Sequence, residues 1–195
     1  MAQPIGVLAL QGDVREHLRA LEGVGSQAIG VRTVKELSSV SGLVLPGGES
    51  TTISKLARIF DLFDPIKDAI RAGLPVFGTC AGLILLSDEI IDGIEGQETF
   101  GGLNTVVRRN AFGHQTESFE TALNFAGIQG DPVAAAFIRA PIIESVGENV
   151  DVLATLSSGA IVAVRQANIL GISFHPEITG ENRVHQYFVE QMVGA

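Results

Sequence analysis

The chain's single cysteine lies in Gly78-Thr79-Cys80-Ala81-Gly82, between an apolar run, Pro75–Thr79, and a helical run, Leu83 to Leu86. A nucleophile flanked by glycines at a strand-to-helix turn is the nucleophile-elbow arrangement. The tight turn holds the side chain out, small neighbours avoid clashes, and the helix start offers N–H groups to a thiolate or an oxyanion. The simpler reading of Cys80, taken in isolation, is a small buried core residue, the usual fate of a free cysteine.

A nucleophilic thiol needs a base, and the base needs an orienting group. Four histidines are available. His17 and His185 lie in helical segments with charged neighbours and read as solvated surface residues; His114 lies in a glycine-containing loop. His175 differs, because it ends the apolar run Gly171 to Phe174 and precedes Pro176-Glu177. The residue before proline is pushed towards extended geometry. In an extended segment, residues two apart face the same way, roughly 6.5–7 Å apart, so Glu177 reaches the imidazole. The simpler reading of Pro176-Glu177 is a helix start with an acid in its first turn.

Pro46-Gly47-Gly48-Glu49-Ser50 follows a short apolar run and opens a helix from Thr51. Consecutive glycines allow close backbone approach to a ligand at a helix N-terminus. A phosphate loop is excluded because no lysine follows these glycines. Glu49 is a candidate helix cap or a partner for a ligand ammonium. Arg109 and Arg139 stand at strand ends and are candidates to clamp a carboxylate.

These residues need elements that bring them to one place. Apolar runs Ile5–Leu10, Gly42–Leu45 and Pro75–Thr79 alternate with helix-period segments, Val14, Leu18, Leu21 and Ile53, Leu56, Ile59, Phe60. Such alternation predicts βαβ crossovers and a parallel sheet covered on both faces, so its strands are uniformly apolar. From about Asp88 the texture changes to short strands over residues 105–174: Thr105–Arg108, Ala134–Ile138, Val150–Leu156, Ile161–Arg165 and Ile169–Phe174. They are expected to extend the same sheet in mixed or antiparallel fashion. A last helix from about Gly180 places Val184, Tyr187, Phe188 and Met192 on one face. The whole, residues 1–195, reads as one three-layer α/β domain. If the strands before Cys80 and His175 are parallel, both residues leave the same sheet edge, where open α/β folds place their sites.

Composition bounds the function. With 195 residues, 46% hydrophobic and 18% charged, the chain has material for a sizeable core. Thirteen Lys and Arg against 22 Asp and Glu give a net charge of −9, and no basic run exceeds Arg108-Arg109, so nucleic acid is a poor partner. The apolar run Ile5–Leu10 lacks a basic leader, and Leu74 to Leu86 falls short of the ~20 residues of a membrane span. One cysteine forms neither an internal disulfide nor a multi-cysteine zinc site. A soluble cytoplasmic protein, with no metal and no cofactor, is expected.

The G-x-C-x-G elbow and late His-Pro-Glu resemble the class I (triad) glutamine amidotransferases. Leu8 to Asp13 with Glu16-His17, Leu45 to Thr52, Arg109 to Gly113, Phe137 to Pro141, and Ser173 to Glu177 with Thr179 are similar to the glutaminase subunits of pyridoxal 5′-phosphate synthases. The resemblance implies a flavodoxin-like α/β domain that hydrolyses L-glutamine to glutamate and ammonia. It implies Cys80 as nucleophile, with His175 and Glu177 completing the triad. Gly47, Gly48, Glu49, Arg109, Ile138 and Arg139 would contact glutamine, and the N–H groups of Ala81 and Gly48 would hold the oxyanion. Ammonia would pass to a TIM-barrel synthase subunit in a hetero-oligomer, and the glutaminase would be nearly silent until that subunit binds. One position departs from the family: Phe112-Gly113-His114-Gln115 stands where Phe-Gly-Arg-Gln is usual. The alternatives are a glutaminase of another biosynthetic amidotransferase, a cysteine hydrolase of the same fold, and a binding or redox-sensing module in which Cys80 has no resolving partner.

Overall fold

The structure is a computed structural model and describes residues 3–109 and 118–194. The first half alternates strands and helices: β1 (Ile5–Leu8), α1 (Val14–Gly23), β2 (Ala28–Val31), α2 (Val34–Leu37), β3 (Gly42–Leu45), α3 (Ser50–Ile59) and α4 (Phe63–Arg71). Then come β4 (Val76–Thr79), α5 (Ala81–Leu86), β5 (Ser87–Ile91), β6 (Leu103–Arg108), β7 (Phe119–Leu123), β8 (Val133–Phe137) and β9 (Ile142–Val146). The chain continues through β10 (Asp151–Thr155), β11 (Ile161–Gln166), β12 (Ile169–Ile172), α6 (Pro176–Thr179) and α7 (Arg183–Phe188), and a π-helical turn, Val189–Val193, follows.

Nine strands run in the order β2-β1-β3-β4-β12-β11-β9-β6-β5, with β10 paired to β11. The first five are all parallel. Their 2-1-3-4-5 pattern is the flavodoxin-type doubly wound order, which reverses direction at β1. β1, β3, β4 and β12 are buried at every position, because both faces are covered. One cover holds Ile53, Leu62, Phe63 and Ile66 of the α3–α4 side; the other holds Leu21 of α1 with Val184 and Phe188 of α7. The α/β class with a mostly parallel sheet, expected from the alternating texture, is what the structure contains.

The second half extends that sheet through antiparallel pairings of β12 with β11, β11 with β9, and β9 with β6. One expected strand departs. β8, expected as Ala134–Ile138 within the main sheet, instead pairs with β7 in a separate two-stranded sheet. Its apolar side chains explain this: Val133, Ala135 and Phe137 pack with Phe174 and Leu123 in the α1–α7 core, so β8 lies over the main sheet. Phe119 and Phe137 stack at 4.7 Å across the β7–β8 pair. β2, α2, α4, β5, β7 and β9 carry no distinct sequence signature.

Candidate active site

Four strand ends meet at one edge. β4 and β12 are parallel neighbours with Thr79 opposite Ile172, so Cys80 and the Ser173–His175 segment leave the sheet side by side. The Cys80 N–H donates to the Ile172 carbonyl at 2.9 Å, and the His175 N–H donates to the Ala136 carbonyl of β8 at 2.8 Å. β1 and β3, on either side of the order reversal, deliver Gln11 to Asp13 and Pro46 to Glu49.

Cys80 is the residue before α5 and has φ 49° and ψ −100°. A non-glycine residue in this region stores ~1–3 kcal/mol of strain, held in place by its surroundings. The glycines around it are needed for closeness. A Cβ on Gly82 would lie 2.1 Å from the Leu45 carbonyl oxygen, and one on Gly78 would lie 2.6 Å from the Gly82 backbone. Ala81 opens α5, so its N–H is among those a helix leaves without an intrahelical acceptor.

His175 is 4% exposed. The expected extended His175–Glu177 spacing does not occur, because Pro176 starts α6 directly after His175. Glu177 instead folds back within that first turn, and its Oε1 lies 2.7 Å from His175 Nδ1. The helix-start reading and the imidazole-partner reading therefore describe the same residues. Burial by itself would hold His175 below the ordinary imidazole value. Hydrogen bonding and charge attraction from Cys80 and Glu177 outweigh it and push His175 up to about 10. Burial also pushes the Glu177 carboxyl above its usual range, against the His175 contact. With Nδ1 engaged by Glu177, Nε2 is the nitrogen left for the thiol. A thiol, an imidazole and a carboxylate in sequence have the layout for nucleophilic attack on an acyl carbon.

Asp13 brings a second carboxylate, with Oδ2 3.5 Å from His175 Nδ1. It precedes α1 but makes no side-chain cap bond there. Burial, with Glu16 nearby, holds it above the ordinary carboxylate range. Asp13, His175 and Glu177 are the one group among the described residues whose donor atoms, all within 4.8 Å, could hold a metal ion. The His175–Glu177 hydrogen bond already engages two of those donors.

The glycine turn packs directly on these groups. A Cβ on Gly47 would lie 2.4 Å from His175 Cε1, and one on Gly48 would lie 2.5 Å from Gln11 Oε1. The Gly47 carbonyl accepts from the Asp13 N–H at 3.1 Å, which turns the Gly48 N–H to the opposite side of that peptide plane. Gln11 Oε1 accepts from the Glu49 N–H at 2.8 Å. Glu49 takes the cap position expected of it and also pairs with Arg109. Its Oε2 caps α3 at the Thr52 N–H and accepts from the Thr51 hydroxyl, while its Oε1 pairs with Arg109 Nη2 at 3.1 Å. Although burial opposes it, those threonine bonds hold the Glu49 carboxyl below its ordinary value. Arg109 also donates to Gln97 Oε1 at 2.9 Å. Ile138 is half-buried and Arg139 exposed just after β8, and Arg139 has φ 45°. His114, with Asn110 to Gly113 of its sequence block, lies outside the described residues.

The sequence reading missed several neighbours. Gln97 sits in a loop without any motif. His17 and His185, expected at the surface, are fully buried in the α1–α7 core. His17 shares the stripe of Val14, Leu18 and Leu21, three residues from the first and four from the last, so its helical position carried the signal that Arg15, Glu16 and Arg19 obscured. Its Nδ1 is 2.8 Å from His185 Nε2, and its Nε2 is 3.1 Å from Thr79 Oγ1 and 3.6 Å from Glu177 Oε1.

The chain matches the SNO glutamine amidotransferase family over residues 7–194. It is 56% identical over 190 residues to the pyridoxal 5'-phosphate synthase subunit PdxT of Leifsonia xyli subsp. xyli, covering 97% of this chain and 96% of that one. It is 59% identical to the protein of the same name from a Parafrankia species, covering 97% and 93%. A crystal structure of a glutamine amidotransferase superposes with a TM-score of 0.90 at 46% identity, covering 98% of this chain and 99% of that one. The chain belongs to the SNO glutamine amidotransferase family.

Proposed function

We infer that the chain is the glutaminase subunit of a pyridoxal 5′-phosphate synthase, with residues 1–195 forming one amidotransferase domain. It hydrolyses L-glutamine to L-glutamate and supplies the ammonia to a synthase subunit. The observation that carries the chemistry is the Glu177–His175–Cys80 row at the end of adjacent parallel strands. The raised His175 favours an imidazolium beside the Cys80 sulfur.

In this reading the Cys80 thiolate attacks the side-chain amide carbon of glutamine. The N–H groups of Ala81 and Gly48 receive the oxyanion, and one such donor is typically worth ~3 kcal/mol. His175 Nε2–H gives its proton to the departing nitrogen, and ammonia leaves as the C–N bond breaks. The neutral imidazole then takes a proton from water, the hydroxide attacks the thioester, and the C–S bond breaks to regenerate the thiolate. Glu177 fixes the tautomer and stabilises the imidazolium, the role an acid plays in triads generally. Glutamine's ammonium and carboxylate suit Glu49 and Arg109, with Gly47 and the Ile138-Arg139 turn completing the pocket. The left-handed backbone of Arg139 supports a placed side chain there.

The partner is a TIM-barrel synthase subunit in a cytoplasmic hetero-oligomer. Ammonia is useful only unprotonated, and neutral bulk water would protonate most of it, so a covered transfer route makes physical sense. The test is glutamate release from glutamine by the chain mixed with its synthase subunit, with Cys80→Ala beside it. Loss of release in the variant is expected. Retained release would falsify the Cys80 assignment, and no release from the unmodified pair would overturn the glutaminase reading.

A further inference from the structure

Two buried histidines stand directly behind the catalytic row and are not used by the chemistry just described. His17, on α1, reaches across to β4 and α6; His185, on α7, touches among the described residues only His17 through a ring nitrogen. Both rings are fully buried and both pack edge-on to Phe77, at 6.2 and 5.3 Å between centroids.

Two facts decide which nitrogens carry hydrogen. His185 Nδ1 is buried and has no hydrogen-bond partner among the described residues. A buried N–H without a partner is rarer and costlier than a bare acceptor. His185 therefore carries its hydrogen on Nε2 and donates it to His17 Nδ1 at 2.8 Å. A neutral imidazole with an accepting Nδ1 must carry its hydrogen on Nε2. That N–H donates to Thr79 Oγ1, and the same nitrogen lies 3.6 Å from Glu177 Oε1. The opposite tautomer fails twice: it leaves a buried orphan donor on His185 and aims a lone pair at a carboxylate. Burial disfavours the charged form of both rings, consistent with a neutral pair. The Glu177 carboxylate has few donors: its Oε2 is buried with no hydrogen-bond partner among the described residues, and its Oε1 has His175 Nδ1 at 2.7 Å with His17 Nε2 next at 3.6 Å.

We propose that His17, held in one tautomer by His185, is a positioning residue that points an N–H at the Thr79 hydroxyl and the Glu177 carboxylate and so fixes the acid that orients His175. This rests on the triad reading above. His17 touches neither glutamine nor the reacting sulfur; it acts through Glu177 and through Thr79, the neighbour of Cys80.

The test separates an N–H aimed at Glu177 from mere core filling. A glutamine at position 17 has its amide at the depth of Nε2, and an asparagine has it at the depth of Nδ1. In the complex with the synthase subunit, His17→Gln is expected to keep the glutaminase kcat within about threefold, and His17→Asn to lower it at least tenfold with KM little changed. In a Glu177→Gln background the His17→Asn loss shrinks to about threefold or less, because coupled residues are non-additive. Equal rates for the two single variants, or the same loss in both backgrounds, overturn the proposal. Should His17→Asn fail to fold, nitrogen NMR of the unmodified protein decides: His17 protonated on Nε2 at neutral pH supports the proposal, and protonation on Nδ1 or on both nitrogens refutes it. A Cys80→Ala variant that still hydrolyses glutamine would instead remove the triad reading on which the proposal stands.

Discussion

Gly47→Ala is expected to give a folded protein with a displaced His175 imidazole. The added Cβ would stand 2.4 Å from His175 Cε1 and 3.0 Å from both His175 Nδ1 and Asp13 Oδ2. Ordinary carbon–carbon contact is about 3.5–4.0 Å, so the ring must retreat by roughly 1 Å. It has little freedom to do so cheaply, being 4% exposed and tied to Glu177 at 2.7 Å. A misplacement of ~1 Å at a reacting group costs on the order of a hundredfold in rate, or ~3 kcal/mol. The backbone raises no comparable objection. Gly47 is absent from the positive-φ glycines, so alanine meets no backbone strain there, and replacing glycine restricts the unfolded chain by ~0.4–1 kcal/mol in favour of folding.

The variant should therefore lose activity out of proportion to stability. The assay is kcat for glutamate release at saturating glutamine with the synthase subunit present, beside a thermal melt of the isolated chain. A melting temperature within a few degrees of the parent and a kcat reduced about a hundredfold are expected. If kcat stays within threefold while the melt is unchanged, the imidazole position does not control the rate. A collapsed melt would show that the backbone, not the ring, gave way.

Gly82→Ala is expected to behave in the opposite manner: its Cβ would meet the Leu45 carbonyl oxygen at 2.1 Å, and since neither backbone yields cheaply, we expect at least the ~1–3 kcal/mol of a typical overpacked core, read as a lower urea midpoint. Acid stability should report the buried histidines. His185, held down to about 4 by burial, favours the fold above the ordinary imidazole range near 6.5 and loses that contribution as the pH falls through about 4, an effect on the order of 3 kcal/mol. Unfolding free energy should fall from pH 6.5 towards 4 less steeply in His185→Phe than in the parent, and equal slopes would contradict the neutral burial of this ring. The raised Glu177 works with the opposite sign, being stabilised by protonation as the pH falls, so the difference between the slopes is the informative quantity.

Local signals carried the frame and much of the site. Uniformly apolar runs identified β1, β3 and β4 because parallel strands covered on both faces have no polar side to alternate with. The elbow at Cys80 was legible because its glycines answer a local steric demand, the approach of Leu45 and Gly82. β8 was misplaced because an apolar run of five residues has the same pattern whether it pairs within the main sheet or lies across it. Contacts between residues far apart in sequence, such as Phe137 with Phe174, decide between these arrangements. Gln97 was invisible for a related reason: it matters through Arg109 and Ser50, and nothing in its own neighbours announces either.

The histidines show where residue type misleads and periodicity does not. A histidine among arginines and glutamates on a helix is usually solvated, yet His17 falls on the same stripe as Val14, Leu18 and Leu21, which already pointed to the sheet. What composition alone could not supply is a reason for placing a polar ring in that stripe. The reason lies one helical turn earlier and on another element. Asp13, four residues before His17, faces His175, and His17 faces Glu177. The residue that starts α1 and the first turn of that helix therefore back His175 and Glu177 from one side. A carboxylate drawn out of water needs donors that are not free to turn away, and a ring wedged between Phe77 and His185 meets that need better than a mobile side chain or a bulk water would.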